Sequence, residues 1–418
     1  MREMKCSGVP WIGNIPVDWQ LVSVKRLFSI GRGRVIAQTE LEETGYPVYS
    51  SQTKDNGCLG YIDTYDYDYP QLTWTTDGAN AGSIFLRTGY YNCTNVCGTL
   101  NPTDVLVDLR YQKYALEHIA YNERRIDTNG YKIMNNEMAI IKTLLPPLSV
   151  QHQIANYLDT KCAQIDTIIA REQSVIEKLH EYKRAIITQA ITRGLNSSTK
   201  MKKTGLEWIG MIPEHWNVKK IKYLTSKIGS GKTPKGGSDV YIDEGVLFIR
   251  SQNVYDGYFD LSSAVFISHE IDCTMSNTRV YRDDVLLNIT GGSIGRSCLY
   301  ESDELANVNQ HVCIIRCNSQ MRPKFIQYFW NSSIGKTSID IYQSGANREG
   351  LNFFEIGNTT VPTPELDEQD QIIDYLDDKC DAIDRGISQK LTIIDTLAEY
   401  KRSLIYEVVT GKKEVPHV

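Results

Sequence analysis

The feature that most constrains this chain is an internal repeat. Residues 11–19 (W-I-G-N-I-P-V-D-W) recur at residues 208–216 with six identities in nine positions. A longer match aligns residues 154–192 with residues 372–410 without a gap, with 17 identities in 39 positions. Heptad coincidence would match apolar positions only, but polar runs such as Glu-Tyr-Lys-Arg match as well. The sequence therefore predicts two halves, each with a Trp motif, a variable region and a long helix.

The variable regions contain short runs of Tyr, Val, Ile and Thr between Gly and Asn, which is typical of antiparallel sheet. The fold class expected is α+β, with two β-rich domains related by a pseudo-two-fold repeat and separated by two long antiparallel coiled-coil helices. The predicted segments are a first variable domain at 1–150, a helix at 151–195, a linker at 196–203, a second variable domain at 204–364, and a second helix with a tail at 365–418.

Each helical segment has apolar residues at alternating steps of three and four, which predicts a coiled-coil seam. In the first helix the seam is predicted to pass through Ile168, Val175 and Tyr182. Glu172 and Lys390 are equivalent mid-helix positions, and we hypothesise that they meet and fix the register of an antiparallel pair. The residues predicted to line the helix pair or a partner interface are Leu158, Ile165, Glu172, Leu179, Tyr182, Leu376, Ile383, Lys390, Leu397 and Tyr400.

Loops rich in Ser, Thr, Asn and Gln recur at corresponding places in both variable domains. Such side chains can donate to and accept from base edges and phosphates, and paired glycines allow a close approach of the backbone. For each loop alone, ordinary turn chemistry is the favoured explanation, and the case for recognition rests on the recurrence of the set in both halves. The candidate DNA-contacting residues are Ser51, Gln52, Thr76, Asp77, Asn80, Arg87, Thr94, Asn95, Arg250, Ser251, Gln252, Asn253, Thr290, Ser293, Arg296, Asn309, Gln310, His311, Asn347 and Arg348.

Composition argues against several other classes of protein. The net charge of −6 does not fit a free-standing DNA binder, which is usually basic. Ten scattered cysteines indicate reduced thiols and a cytoplasmic protein, and no apolar stretch is long enough to span a membrane. The run Gly229–Thr233 lacks the first glycine of a phosphate-binding loop, and no catalytic or metal-ligating constellation is expected.

The order of these motifs resembles the specificity subunit of type I restriction-modification enzymes. The resemblance rests on both Trp motifs, on Tyr-Ser-Ser-Gln at 49–52, on Asp-Gly-Ala-Asn-Ala-Gly at 77–82, on Asn-Gln-His-Val at 309–312, on Gln-Ser-Gly-Ala-Asn at 343–347, and on two Gln-x-Gln-Ile helix openings at 151–154 and 369–372. It covers essentially the whole chain.

The resemblance implies a non-catalytic subunit whose two variable domains are target-recognition domains, each for one half of an asymmetric bipartite DNA site. The helices would set the spacing between the half-sites and dock two methyltransferase subunits. S-adenosylmethionine, ATP and magnesium would act on partner subunits and not on this chain. Restriction and translocase subunits would complete the complex.

Two alternatives remain open from the sequence. The partner could fuse methylation and cleavage, as in restriction systems that cut on both sides of their site. The chain could instead be a scaffold with duplicated β-rich domains that does not bind DNA, and this scaffold would show no DNA affinity that falls with salt.

Overall fold

The computed structural model describes residues 3–10, 12–103, 106–128, 130–343 and 350–416. The chain forms two compact units. The first unit contains residues 1–173 and 391–418, and the second contains residues 174–390.

The first unit is a set of small sheets with two short helices and parts of two long helices. Its elements are β1 (Met4–Cys6), β2 (Asn14–Pro16), β3 (Gln20–Ser23), β4 (Phe28–Arg32), β5 (Tyr46–Tyr49), β6 (Cys58–Ile62), β7 (Gln71–Thr75), β8 (Asp77–Gly78), β9 (Ile84–Arg87), β10 (Asn92–Cys93), β11 (Cys97–Pro102), α1 (Leu109–Glu123), β12 (Arg125–Asp127), β13 (Gly130–Lys132), α2 (Asn135–Ile140), β14 (Lys142–Leu145) and the start of α3 (Leu148–Arg193).

The main sheet of the first unit is antiparallel, with the strand order β4-β11-β7-β9. Every residue of β7 is buried, and Leu72 and Trp74 pack with Leu100 in the core. Helix α1 begins after Asp108, whose carboxylate accepts hydrogen bonds from two backbone N–H groups of the first turn. A second sheet, β10-β5-β6, pairs β5 with β10 in parallel.

The second unit repeats this plan. Its elements are the end of α3, β15 (Met201–Lys203), β16 (Met211–Pro213), β17 (Asn217–Lys220), β18 (Thr225–Ser230), β19 (Val246–Ile249), β20 (Val265–Ile267), α4 (His269–Thr274), β21 (Arg279–Val280), β22 (Val285–Asn288), β23 (Ser297–Leu299), β24 (Ala306–Val308), β25 (Val312–Cys317), α5 (Pro323–Asn331), α6 (Ser333–Gln343), α7 (Phe353–Asn358), β26 (Thr360–Thr363) and the start of α8 (Leu366–Val409).

The two four-stranded sheets of the second unit correspond to the sheets β4-β11-β7-β9 and β10-β5-β6 of the first. The main sheet has the order β18-β25-β22-β23, and the other sheet, β20-β19-β24-β21, contains the parallel pair of β19 and β24. Two parallel strands that are neighbours in a sheet require a long crossover connection. This connection contains the main-sheet strand β7 in the first unit and β22 in the second. The α+β class and the duplication expected from the sequence are therefore confirmed.

The long helices are antiparallel within each unit. In the first unit, Lys401 of α8 pairs with Asp166 of α3 at 2.7 Å. In the second unit, Lys183 of α3 pairs with Asp384 of α8 at 2.6 Å. These two ion pairs are equivalent under the sequence repeat, because both the aspartates and the lysines are 218 positions apart.

The buried stripe of α3 differs from the predicted seam. Cys162 is buried and Ile169 is partly buried, whereas Ile168 and Val175 are exposed and Tyr182 is 56% exposed. The inner position lies four residues after Ile165 rather than three, and the sequence offers an apolar residue at both spacings. Lys183, and not Tyr182, faces the other long helix, where its ammonium group donates to Asp384.

Buried glutamines attach each long helix to its own unit. In the first unit, Gln151 Oε1 accepts from the Asp108 backbone N–H at 2.9 Å, and Gln151 Nε2 donates to the carbonyls of Leu106 and Pro146 at 2.9 Å each. This contact, which we call the glutamine clamp, satisfies backbone groups that burial would otherwise leave unpaired.

The second unit contains the same glutamine clamp. Gln369 Oε1 accepts from the Arg322 N–H at 2.8 Å, and Gln369 Nε2 donates to the carbonyls of Pro364 at 2.9 Å and Gln320 at 3.4 Å. The first glutamine of each Gln-x-Gln-Ile opening therefore has a structural role at the start of its helix.

Candidate nucleic-acid interface

The candidate loops of the first unit meet because two parallel strands end at the same edge. Loop A (Ser51 and Gln52) follows β5, and loop B (Thr94 and Asn95) follows β10. The Thr94 backbone N–H donates to the Tyr49 carbonyl at 2.8 Å, which joins the two loops. The carboxyl edge of parallel strands is a common place for ligands, because their loops converge there.

Loop C of the first unit (residues 76–82) follows β7 and lies against loop B. The Thr76 backbone N–H and Oγ1 both bond to the Val96 carbonyl at 3.1 Å. Thr76 is buried and therefore supports the loop, whereas Asp77 is half-buried and Asn80 is exposed. The structure thus brings loops A, B and C together, with Asn80 and Asn95 as their exposed side chains.

Arg87 is a buried residue that contacts the backbone and side chains on either side of loop A. Its side chain is 1% exposed, and its guanidinium lies over the Tyr49 ring at 3.5 Å from the centroid. Nη1 donates to the Asn56 carbonyl at 2.7 Å, and Nε donates to Thr73 Oγ1 at 3.2 Å. Burial lowers the pKa of Arg87, and the opposing effect is its attraction to Tyr49. Arg87 is therefore placed to position a loop rather than to touch DNA.

The segment that Arg87 supports is a left-handed turn. Asp55, Asn56 and Gly57 have φ values of 48°, 54° and 82°. Two consecutive non-glycine residues in this region cost free energy, and such conformations persist where neighbouring contacts enforce them. A side chain at Gly57 would approach Arg87 Nη2 within 2.9 Å. The turn and the buried arginine therefore depend on each other.

The second unit places its loops in the same way. Loop A (residues 250–253) follows β19, and loop B (residues 309–311) follows β24. The Asn309 backbone N–H donates to the Ile249 carbonyl at 3.0 Å, as Thr94 does to Tyr49. Ser251 is half-buried and Gln252 is exposed, whereas Asn253 is buried and donates to the Asp260 carbonyl at 2.9 Å.

A chain of hydrogen-bonded polar side chains joins the loops of the second unit. Thr290 Oγ1 lies 2.6 Å from His311 Nδ1, and His311 Nε2 lies 3.0 Å from Gln310 Nε2. Thr233 Oγ1 donates to Gln310 Oε1 at 2.5 Å. Buried Asn288 then ties loop A to β22 by donating to the Ser251 carbonyl at 2.7 Å. The side chains of loops B and C are thereby held in one network.

The remaining candidates of the second unit surround this network. Ser293 is half-buried in loop C (residues 290–296), and the Arg296 guanidinium lies 4.7 Å from the Tyr255 ring centroid. Arg250 Nη2 donates to the Ser263 carbonyl at 2.5 Å. The candidates Asn347 and Arg348 lie outside the described residues.

The candidate helix-interface residues fall into three groups. Leu158, Ile165, Leu376 and Ile383 are buried, and Glu172, Leu179, Lys390 and Leu397 are half-buried. Tyr182 and Tyr400 face outward, with Tyr400 51% exposed. Glu172 and Lys390 belong to different units, so their pairing stays a prediction.

Two aromatic features near the loops were not expected from the sequence. In the second unit, Tyr255 and Tyr258 stack with centroids 4.9 Å apart directly after loop A. In the first unit, Arg124 lies between the rings of Tyr121 and Tyr131, at 3.9 and 3.8 Å. An available signal was the run of two arginines before an Asn-Gly turn at 124–130, since Asn-Gly is the strongest short-range hairpin signal.

The described residues contain no group of three His, Cys, Asp or Glu side chains that could hold a metal ion. Likewise, no helix in the described ranges is long and apolar enough to cross a membrane.

A family model described as the type I restriction modification DNA specificity domain matches residues 16–178 and 213–392. The chain belongs to this specificity family. The matched ranges include loops A, B and C of both units, so each unit carries its own copy of the domain.

Curated relatives are specificity subunits. The chain is 26% identical to the MjaVIII specificity subunit of Methanocaldococcus jannaschii, over 96% of this chain and 92% of the relative. It is 28% identical to the EcoBI specificity subunit of Escherichia coli, over 61% of this chain and 55% of the relative. The alignment with the latter thus spans about half of that relative's length.

A solved chain from work on the complex assembly and conformational transition of the type I restriction-modification system has the same fold. The comparison gives a TM-score of 0.66 at 12% identity and covers 96% of this chain and 99% of the other. It supports the fold of this member of the specificity family.

Proposed function

We propose that this chain gives a type I restriction-modification complex its DNA sequence specificity, with each unit recognising one half of an asymmetric bipartite site. The observation that carries the proposal is that the specificity domain is present twice, at residues 16–178 and 213–392. Each copy assembles three loops at the carboxyl edge of a parallel strand pair.

The loop chemistry supports base recognition. Asn and Gln present a donor and an acceptor together, which matches the edge of adenine in the major groove, and Ser and Thr can serve either role. Asn80 and Asn95 are exposed in the first unit, and Gln252 and Gln310 are exposed in the second. Because the exposed groups differ between the units, the two half-sites should differ in sequence.

The chain acts with partners in this proposal. Two methyltransferase subunits dock on the long helices and carry S-adenosylmethionine, and restriction and translocase subunits use ATP and magnesium. This chain itself carries out no reaction. Outward-facing Val175 and Tyr182 on α3, and Ile393 and Tyr400 on α8, supply apolar surface for such docking. Its ten free cysteines suit the cytoplasm.

The proposal is tested by DNA binding with the methyltransferase partner present and absent, over a salt series. We expect specific binding whose affinity falls steeply with salt, because each phosphate contact releases counterions. A scaffold that does not bind DNA would show no such dependence, and this result would overturn the proposal.

The proposed spacing role of the helices has a separate test. Seven residues, one heptad, are inserted at equivalent positions of α3 and α8. The insertion adds about 10 Å of helix, close to three base pairs of duplex, so the gap between half-sites should lengthen by about three base pairs. Unchanged half-sites at an unchanged spacing would show that the helices do not set the distance.

A further inference from the structure

A short hairpin of the first unit is joined to loop C by a shared hydrogen-bonded ladder. Strands β12 and β13 pair antiparallel, and β13 pairs in turn with β8. The register places Tyr131 opposite Gly78 and Lys132 opposite Asp77. Since β8 is the start of loop C, a ligand that reaches Asp77 also lies beside this hairpin.

A stacked arginine fixes the base of the hairpin. Arg124 is held between Tyr121 and Tyr131, and its Nη1 donates to the Ala81 carbonyl of loop C at 3.5 Å. Stacking on both faces restricts the guanidinium plane and leaves its remaining N–H groups directed outward from the edge. The base of the hairpin and loop C are therefore held as one element.

The hairpin presents cations and one apolar side chain to solvent. Among the described residues, Arg125 pairs with Glu137 of α2 at 2.7 Å and with Asp127 at 3.7 Å, and Lys132 pairs with Asp127 at 3.1 Å. Ile126 is 83% exposed and lies opposite Tyr131 in the ladder. Partners across an antiparallel pair project from the same face, so the isoleucine adds an apolar group beside the stack. Ile126 is too exposed to stabilise the core.

In the second unit, a backbone segment also pairs with the start of loop C. There Thr290, at the start of loop C, forms an antiparallel bridge with Gly350. The neighbouring Leu351 N–H donates to the Ile289 carbonyl at 2.8 Å. In both units, backbone that follows a helix of the variable domain therefore pairs with loop C. The helix is α1 in the first unit, where the pairing backbone belongs to the ribbon of β12 and β13, and α6 in the second.

We propose that this ribbon is a second DNA-contacting element of the first unit and binds in the major groove beside loop C. The inference rests on the proposed function. A two-stranded ribbon fits the major groove, where an apolar side chain can contact a thymine methyl group. Ile126 supplies that contact. Arg125 and Lys132 form the neighbouring pair of the register and lie on the opposite face of the ribbon from Ile126. Their long side chains exchange surface carboxylate partners, whose ion pairs are weak in water, for the phosphates that flank the groove.

The test uses the full chain with its methyltransferase partner and a target duplex selected from a randomised pool. The variants are Ile126→Ser and the double variant Arg125→Gln/Lys132→Gln. The matched control is Ile140→Ser, which removes another strongly exposed isoleucine of the same unit. Dissociation constants are measured for target and random DNA over a salt series, and thermal midpoints confirm folding.

We expect Ile126→Ser to weaken binding of the selected target at least fivefold with an unchanged salt slope. The double variant should weaken binding of both duplexes and lower the salt slope by one to about two, which is the signature of lost phosphate contacts. Ile140→Ser should bind like the unaltered protein.

Two failures are distinguishable. If both hairpin variants bind normally while Asn80→Ala/Asn95→Ala weakens binding, the hairpin is not a DNA element but the proposed function stands. If the unaltered complex itself selects no sequence from the pool, the proposed function fails and the inference fails with it.

Discussion

The loops of the two units follow corresponding strands, but different side-chain interactions hold them in place. In the first unit a buried arginine, Arg87, stacks on Tyr49 and supports the strained turn after loop A. In the second unit a chain of hydrogen-bonded polar side chains, which includes Gln310 and His311, joins loops B and C. The comparison shows that the backbone plan is kept while the side chains that hold and form each surface differ.

In each unit, the backbone at one glycine lies very close to a carbonyl group of a neighbouring strand. A Cβ atom on Gly231 would lie 1.6 Å from the Val308 carbonyl oxygen, and one on Gly33 would lie 2.2 Å from the Cys93 oxygen. Both carbonyls belong to the strand that leads into loop B. Only glycine fits at these two equivalent positions.

The largest expected effect is therefore that of Gly231→Ala. The added methyl group must displace backbone, so we expect the second unit to lose at least about 3 kcal/mol of unfolding free energy. Chemical denaturation monitored by tryptophan fluorescence measures this loss. Gly229→Ala is the control, because a Cβ at Gly229 meets no atom within 4 Å. Equal effects of the two substitutions would contradict the close approach.

The next largest effect concerns the glutamine clamp, which both units share. Gln369→Ala leaves the buried Pro364 carbonyl and the part-buried Arg322 N–H and Gln320 carbonyl without their partner, and we expect a loss of about 2 kcal/mol in unfolding free energy. Gln371→Ala, two residues further on and exposed, should change it by less than about 0.5 kcal/mol. A clamp variant as stable as this control would show that the glutamine does not hold the helix.

The substitution Arg87→Met tests whether the buried arginine holds loop A of the first unit in place. The turn at residues 54–57 loses its anchor, so we expect DNA binding of the complex to weaken about tenfold, or ~1.4 kcal/mol. Arg110→Met removes one positive charge from α1 of the same unit and serves as the control. Equal DNA affinity of the two variants would mean that the buried arginine does not organise the loop.

The smallest effect is expected for the ion pairs between the long helices. Lys183→Met should lower the unfolding free energy by less than about 1 kcal/mol, because Asp384 remains exposed and a lysine–aspartate pair that water reaches gains little. The equivalent substitution Lys401→Met should behave alike, since its pair with Asp166 has the same geometry. A loss of several kcal/mol in only one of them would show that the two helix pairs are not equivalent.

The sequence was sufficient for features that depend on residue identity alone. The repeat, the long helices and the matched polar loops follow from the printed residues. The inner face of α3 did not follow, because apolar side chains occur three and four residues after Ile165 and the packing around the helix decides which of the two is buried. The burial of Arg87 also depends on a neighbour from a distant segment, Tyr49.

The central claim is that each unit recognises its own half-site with its own loops. The most direct measurement is selection of bound sequences from randomised duplex DNA by the complex carrying Asn95→Ala or Gln310→Ala. We predict that each substitution relaxes base preference in a different half of the selected site and leaves the other half unchanged. Loss of preference in the same half with both variants, or in both halves with either one, would contradict the claim.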